Sequence, residues 1–115
     1  MRGRTSGLLP LEIAILSAAA AFALEDNGEF HGFRVAARIK DESESPLFAG
    51  RGSLYKALDR LETRGFLSSR WEDAEFALSE GRPRRRLYRI LSAGEAALSE
   101  ASKAAQVAPL RKAPA

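Results

Sequence analysis

Five arginines fall within the nine residues Gly81-Arg82-Pro83-Arg84-Arg85-Arg86-Leu87-Tyr88-Arg89. Guanidinium groups at this density suit one partner above all, the phosphate oxygens along a nucleic-acid backbone. Pro83 fixes its own φ near −65° and steers Arg82 towards extended backbone, so a stiff cationic finger is expected. Taken alone, the run equally fits a solvated basic loop. A second group lies upstream, where Arg51, Gly52, Ser53, Tyr55, Lys56 and Arg60 share a segment of helical periodicity. Gly52 and Ser53 lack bulk and let a backbone come close to a duplex. Helix N-terminal amides and the Ser53 hydroxyl can hold a phosphate. Lys56 and Arg60 can reach bases or phosphates, and Tyr55 offers a ring edge to thymine methyls or a hydroxyl to phosphate. Each also has a purely structural reading: Ser53 as a cap, Tyr55 packed on a neighbouring hairpin, Arg60 paired with Glu62 or Asp59.

Other chemistries find little support. The chain of 115 residues has no cysteine and a single histidine, His31, which leaves no disulfide, Cys-based metal site or histidine cluster. There is no phosphate loop and no nucleophile with a base beside it, so no catalytic residue, metal or cofactor is assigned and an enzyme is not expected. Glu72 and Asp73 read as solvation of a turn, and Trp71 as packed at the base of a hairpin. The net charge is only +3, but Gly50–Leu91 holds ten basic residues against six acidic ones. The distribution carries more information than the total.

These side chains need elements to hold them. Residues 1–9 have no periodicity and read as a flexible arm. Pro10 at a first turn with Glu12 behind it opens a helix to about Glu25, which stops at Asp26-Asn27-Gly28. That helix is apolar on nearly every side: Ile13, Leu16, Ala20 and Leu24 mark one stripe, Ile15, Ala19, Phe22 and Ala23 another. A short chain cannot surround it alone, so a second copy is expected to cover one face. Its apolar run is too short to cross a bilayer, and a cytoplasmic protein is expected. A second helix from Gly32 or Phe33 to Glu42 places Phe33, Val35, Ala36 and Ile39 inward and Arg34, Arg38 and Lys40 outward. Asp41 to Pro46 reads as a polar connection, with Leu47-Phe48 a brief extended contact. The third helix starts at Gly50 or Arg51, buries Leu54, Ala57, Leu58 and Leu61, and ends at Gly65. Two strands follow, Phe66–Glu72 and Arg84–Leu91, joined by a long polar turn over Asp73–Gly81. Ser92-Ala93-Gly94-Glu95 fits a capping box and opens an Ala-rich helix to about Val107. Three helices, a hairpin and a closing helix make a mainly α, winged helix–turn–helix fold, in which the second helix of the motif enters the major groove.

The same residues resemble a known family. Gly52-Ser53-Leu54-Tyr55, Leu58-x-Arg60-Leu61-Glu62-x-x-Gly65-Phe66-Leu67 and Ser69-x-Trp71-Glu72 are similar to motifs of the PadR-type transcriptional regulators. Gly81-Arg82-Pro83-Arg84-Arg85-x-x-Tyr88-Arg89, Gly94 and His31-Gly32-Phe33 extend the match, which runs from about Leu11 to Leu98. The resemblance implies a homodimeric repressor that binds operator DNA and is released by a small effector. It implies DNA contact by Ser53, Tyr55, Lys56 and the wing arginines Arg82, Arg84 and Arg85, with His31 and Gly32 at a helix start. Residues 10–91 would form the DNA-binding domain and 92–108 a dimerisation helix, with 109–115 a disordered tail. The first and last helices would build the dimer, through Ile13, Leu16, Ala20, Phe22, Leu98 and Ala101. A flat pocket between subunits near Phe22 and Leu98 would take the effector. Leu91 departs from the family by standing where a capping threonine is usual. The alternative reading is a winged helix that binds an acidic protein and has no specific DNA target.

Overall fold

Pro10 begins the first helix, α1 (Pro10–Glu25), and Glu12 turns back so that its Oε1 accepts the Leu9 N–H at 3.0 Å. The computed structural model describes residues 7–43 and 51–112, without the side chains of 41–43, 51 and 104–112. The Asp41–Pro46 connection, beyond its first residues, and Leu47-Phe48 therefore lie outside the described residues. Strand β1 (Phe30–His31) leads straight into α2 (Gly32–Ser43), and α3 (Arg51–Thr63) follows. Strand β2 (Leu67–Trp71), a short helix α4 (Ala74–Ser79), strand β3 (Arg86–Ile90) and α5 (Ser92–Lys112) complete the order.

α3 ends as its glycine requires. Gly65 takes φ +83°, its N–H bonds Glu62 O at 3.0 Å, and Phe66 N–H bonds Leu61 O at 2.9 Å. This is the Schellman arrangement, and it aims the chain from the helix into β2. Leu54, Ala57, Leu58 and Leu61 are fully buried against α1, with Val35 and Ile39 of α2 closing the core. Phe22 of α1 packs on Phe30 with ring centroids 5.4 Å apart, and Phe30 stacks on Tyr88 at 5.9 Å.

The sheet departs from the simple hairpin. It has three strands in the order β1-β3-β2, all antiparallel, with Phe30 opposite Tyr88 and Trp71 opposite Arg86. Two residues are too few to show a strand period, so β1 is set by tertiary packing of Phe30. The Asp73–Gly81 turn holds α4, whose N-cap Asp73 accepts the Glu75 N–H at 3.0 Å. Gly81 (φ +67°) closes α4 with a second Schellman pair, Arg82 N–H to Ala77 O and Gly81 N–H to Leu78 O. The basic run thus begins at a helix stop, and its stiffness starts there.

Three further expectations change. Phe33 is 62% exposed, because it lies at the outer edge of α2's first turn while Val35 and Ile39 take the inward face. Ser92 is the first helical residue of α5, so Leu91 holds the cap position, its carbonyl accepting the Glu95 N–H at 3.0 Å. α5 continues past Pro109 to Lys112, absorbing the loss of one backbone N–H within Ala-rich turns.

The dimer expectation divides. Leu16 and Phe22 are 0% and 2% exposed and Ala101 is buried, so within one chain these three are already covered and cannot gain cover from a partner. Phe22 is closed off by Arg34 and Arg38, whose guanidinium carbons lie 4.2 and 5.3 Å from its ring centre. That removes it from any effector pocket between subunits. Ile13, Ala20 and Leu98 remain partly open, and Leu24, in line with the first two, is almost fully exposed.

Candidate nucleic-acid interface

Burial of the Leu54–Leu61 stripe turns the opposite face of α3 outward. Gly52, Ser53, Lys56, Asp59 and Thr63 are exposed along it. A side chain at Gly52 would meet nothing within 4 Å, so the bare backbone there is open to an approaching molecule. The Arg51 side chain lies outside the described residues. Tyr55 is half-exposed and lies across the start of α2: a Cβ on Gly32 would come within 2.5–2.8 Å of its ring and hydroxyl. With Phe33, Ala36, Lys40 and Leu54 these residues line a groove of about 390 Å³ between α2 and α3.

Arg60 is placed differently. Its Nε donates to Glu12 Oε2 at 2.6 Å, and Glu12 is 2% exposed. It pairs neither with Glu62 nor with Asp59 but reaches across to α1. Glu62 instead accepts the Ser69 hydroxyl at 2.6 Å and ties β2 to α3.

His31 joins the two halves of the site. Its Nδ1 accepts the Arg34 N–H at 3.3 Å, which caps α2 and leaves Nε2 to carry the proton of the neutral ring. Burial lowers its pKa, and the charges of Arg85, Arg34 and Arg82 lower it further against the opposing effect of Glu72. The start of α2 therefore meets Tyr55 of α3, and His31 just before it pairs with Leu87 of β3, the strand that follows the wing arginines.

In the wing, Glu72 is buried, contrary to its reading as a solvated acid. Its carboxylate takes both terminal nitrogens of Arg82, at 2.7 and 2.8 Å, and its carbonyl accepts Arg84 Nε at 2.9 Å. The Arg82 hydrogen bonds and a backbone N–H from Arg85 hold the Glu72 pKa down to about 2 despite burial. Arg82 also meets Glu80 at 3.1 Å, so it faces inward along the wing, as a fixed element of its frame. Trp71 stays more than half exposed, with the guanidinium carbons of Arg84 and Arg86 at 5.9 and 5.1 Å from its ring centre. Cation–π contact here replaces the packing expected of Trp71. The Arg85 and Arg86 side chains have no carboxylate partner among the described residues.

This geometry has known counterparts. The model of the transcriptional regulator PadR-like family matches residues 22–100, more than half of the chain. The chain belongs to that family. Among solved structures, a PadR family transcription regulator from Clostridium difficile is 23% identical, with 84% of this chain and 88% of that one covered at TM-score 0.65. A transcriptional regulator from Clostridium thermocellum is 20% identical, with 90% and 92% covered at TM-score 0.65. Bacillus subtilis PadR, solved in complex with operator DNA, is 20% identical at TM-score 0.56; 79% of this chain but only 45% of that one is covered. At these identities the solved structures establish the winged-helix fold. No curated protein sequence matches this PadR-like chain. It is thus a member of a family of transcriptional regulators, not of enzymes. Among the described residues no group of His, Cys, Asp and Glu is arranged to hold a metal ion. No helix among them is long and apolar enough to cross a membrane.

The sequence located Gly52, Ser53, Tyr55 and Lys56 on one exposed helix face and Arg84 and Arg85 on the wing, where the structure has them. It missed the Glu12–Arg60 pair and the Glu72 centre. Glu12 and Arg60 lie 48 positions apart, beyond any local pattern. For Glu72 a signal existed: a carboxylate at the end of one strand facing the arginine-rich start of the next.

Proposed function

We propose that this PadR-like protein is a homodimeric, sequence-specific DNA-binding regulator that represses transcription until a small effector releases it. The observation that carries the reading is the convergence on α2's N-terminus of an exposed α3 face and a cationic wing. Ser53, Tyr55 and Lys56, with Arg51 and Gly52 beside them, would enter the major groove, while Arg84 and Arg85 would lie along phosphates. The operator complex of Bacillus subtilis PadR, on the same fold, supports DNA as the partner. The open stripe of Ile13, Ala20 and Leu24 on α1, beside Leu98 of α5, supports a second copy as its cover. Residues 10–91 would then be the DNA-binding unit, with the N-terminal part of α5 completing the dimer.

Duplex DNA from upstream of the protein's own gene tests this by mobility shift. Neutralising about six to eight phosphates per dimer gives a log K against log salt slope of roughly −5 to −7. A flat salt dependence, with no fragment retained over random DNA, would instead point to an acidic protein partner. Arg84→Ala with Arg85→Ala weakens binding to all sequences. Lys56→Ala or Tyr55→Phe changes the preference among them.

A further inference from the structure

Every arginine of the wing turn is tied to one acidic residue. Glu72 is 7% exposed, and its two carboxylate oxygens receive the fork of Arg82 at 2.7 and 2.8 Å. Oε1 also accepts the Arg85 N–H at 3.2 Å. The Glu72 N–H bonds Arg85 O at 2.8 Å, and its carbonyl receives Arg84 Nε at 2.9 Å. Beyond the last paired residues, Trp71 and Arg86, these bonds join the two sides of the wing. Arg82 adds a second anchor through Glu80 and lies 5.6 Å from the Phe76 ring centre on α4.

A negative charge beside a phosphate-binding surface ordinarily opposes binding. Here the same charge holds the Arg82 fork and the Arg85 N–H, and so fixes the residue whose carbonyl receives the Arg84 guanidinium. We propose that Glu72 is a positioning residue for DNA binding, and that Arg82 is the clasp of that device instead of a phosphate contact. Arg84 and Arg85 reach phosphates because Glu72 fixes where their chain runs. This inference rests on the DNA-binding reading of the wing and makes it specific.

The two roles of Glu72 predict opposite signs. As a bystander charge, its removal tightens binding to a polyanion. As a positioning residue, its removal frees the Arg84–Arg85 segment and costs about one phosphate contact per protomer. The probe is a random-sequence duplex of about 30 base pairs, titrated by fluorescence anisotropy across a salt series. For Glu72→Ala we expect affinity near 0.1 M salt to fall on the order of tenfold or more, and the salt slope to shrink by about 2 per dimer. Arg82→Lys keeps the charge but loses the two-pronged geometry, so its loss matches that of Arg82→Ala. Glu72→Ala combined with Arg82→Ala loses no more than either alone. Tighter binding by Glu72→Ala, full affinity in Arg82→Lys, or additive losses would each overturn the proposal. Hydrogen exchange of the free protein supplies a DNA-independent arm: protection of the Arg85 amide, whose acceptor is the Glu72 carboxylate, disappears in Glu72→Ala while that of α3 stays. Retained protection refutes the clamp. A wild-type protein that binds no duplex refutes the DNA-binding reading, while the exchange result still decides the clamp.

Discussion

Replacing Arg60 by alanine strips its partner from the most deeply buried of the described carboxylates. The Glu12 side chain is 3% exposed and its Oε2 lies 2.6 Å from Arg60 Nε. An uncompensated charge in a full interior costs about 3–5 kcal/mol. Two features reduce that figure. The Arg60 side chain is 45% exposed, so water reaches Oε2 once the guanidinium is gone, and Oε1 keeps its bond to the Leu9 N–H. A loss of about 2 kcal/mol is expected, which for a domain near this size lowers Tm by roughly 10 °C. Thermal melting by circular dichroism at pH 7 reads it, with DNA titrations run well below the transition. Since Arg60 grips α1, the Arg60→Ala protein that remains folded should keep its salt slope. An unchanged Tm together with a slope reduced by about 2 per dimer would show Arg60 to be a phosphate contact, and the argument from Glu12 would fail.

Other outcomes follow from single contacts. A Cβ at Gly94 would collide with the backbone oxygen of Phe66 and lie 2.9 Å from Ile90 Cγ1, so Gly94→Ala should cost about 2 kcal/mol or more in urea unfolding. In Gly32→Ala the nearest atoms to the new Cβ belong to the Tyr55 side chain, which can swing aside, so it should cost under about 1 kcal/mol while shifting operator preference. Ile13→Asp or Leu24→Asp should leave the fold intact and yield monomers in sedimentation, whereas Leu16→Asp should unfold the chain, since Leu16 is fully buried within it. The folded state favours neutral His31, so its pKa lies below the ordinary 6.5 and the unfolded chain takes up the proton more readily. Stability is therefore complete above pH 6.5 and declines as the pH falls through it. His31→Asn, which keeps a capping acceptor, should flatten that decline between urea melts at pH 7.5 and 5.5.

Where a signal is local, the sequence carries it. Pro10 and the turn at Asp26-Asn27-Gly28 bound α1, and Gly65 closes α3, because each imposes a backbone geometry on its own neighbours. The Leu54–Leu61 stripe likewise dictates which face of α3 is left to Ser53 and Lys56. What escaped depends on distant partners. Phe30 and His31 form a strand only because Tyr88 and Leu87 lie alongside. Phe22 looks like an interface residue until Phe30 and two arginines of α2 cover it, and Leu16 looks like one until the core of its own chain closes over it. α4 was legible in part: Asp73 is a good cap and Gly81 a good stop, but the six helical residues Ala74–Ser79 carry too little periodicity to outweigh the polarity of the turn.

The ion pairs have one more effect, on how the molecule arrives at a partner. Arg34, Arg38, Arg60, Arg70 and Arg82 are each matched to a carboxylate, so at a distance those charges cancel. Lys56, Arg84, Arg85 and Arg86 have no such match among the described residues, and they sit on α3 and the wing. The acids Asp59, Glu62, Asp73 and Glu75 on the same two elements also have no basic partner among the described residues, so the positive field of these cations is local in reach. A polyanion would feel it only within about one Debye length, roughly 8 Å in physiological salt, so it acts on the last step of an encounter more than on the long-range approach.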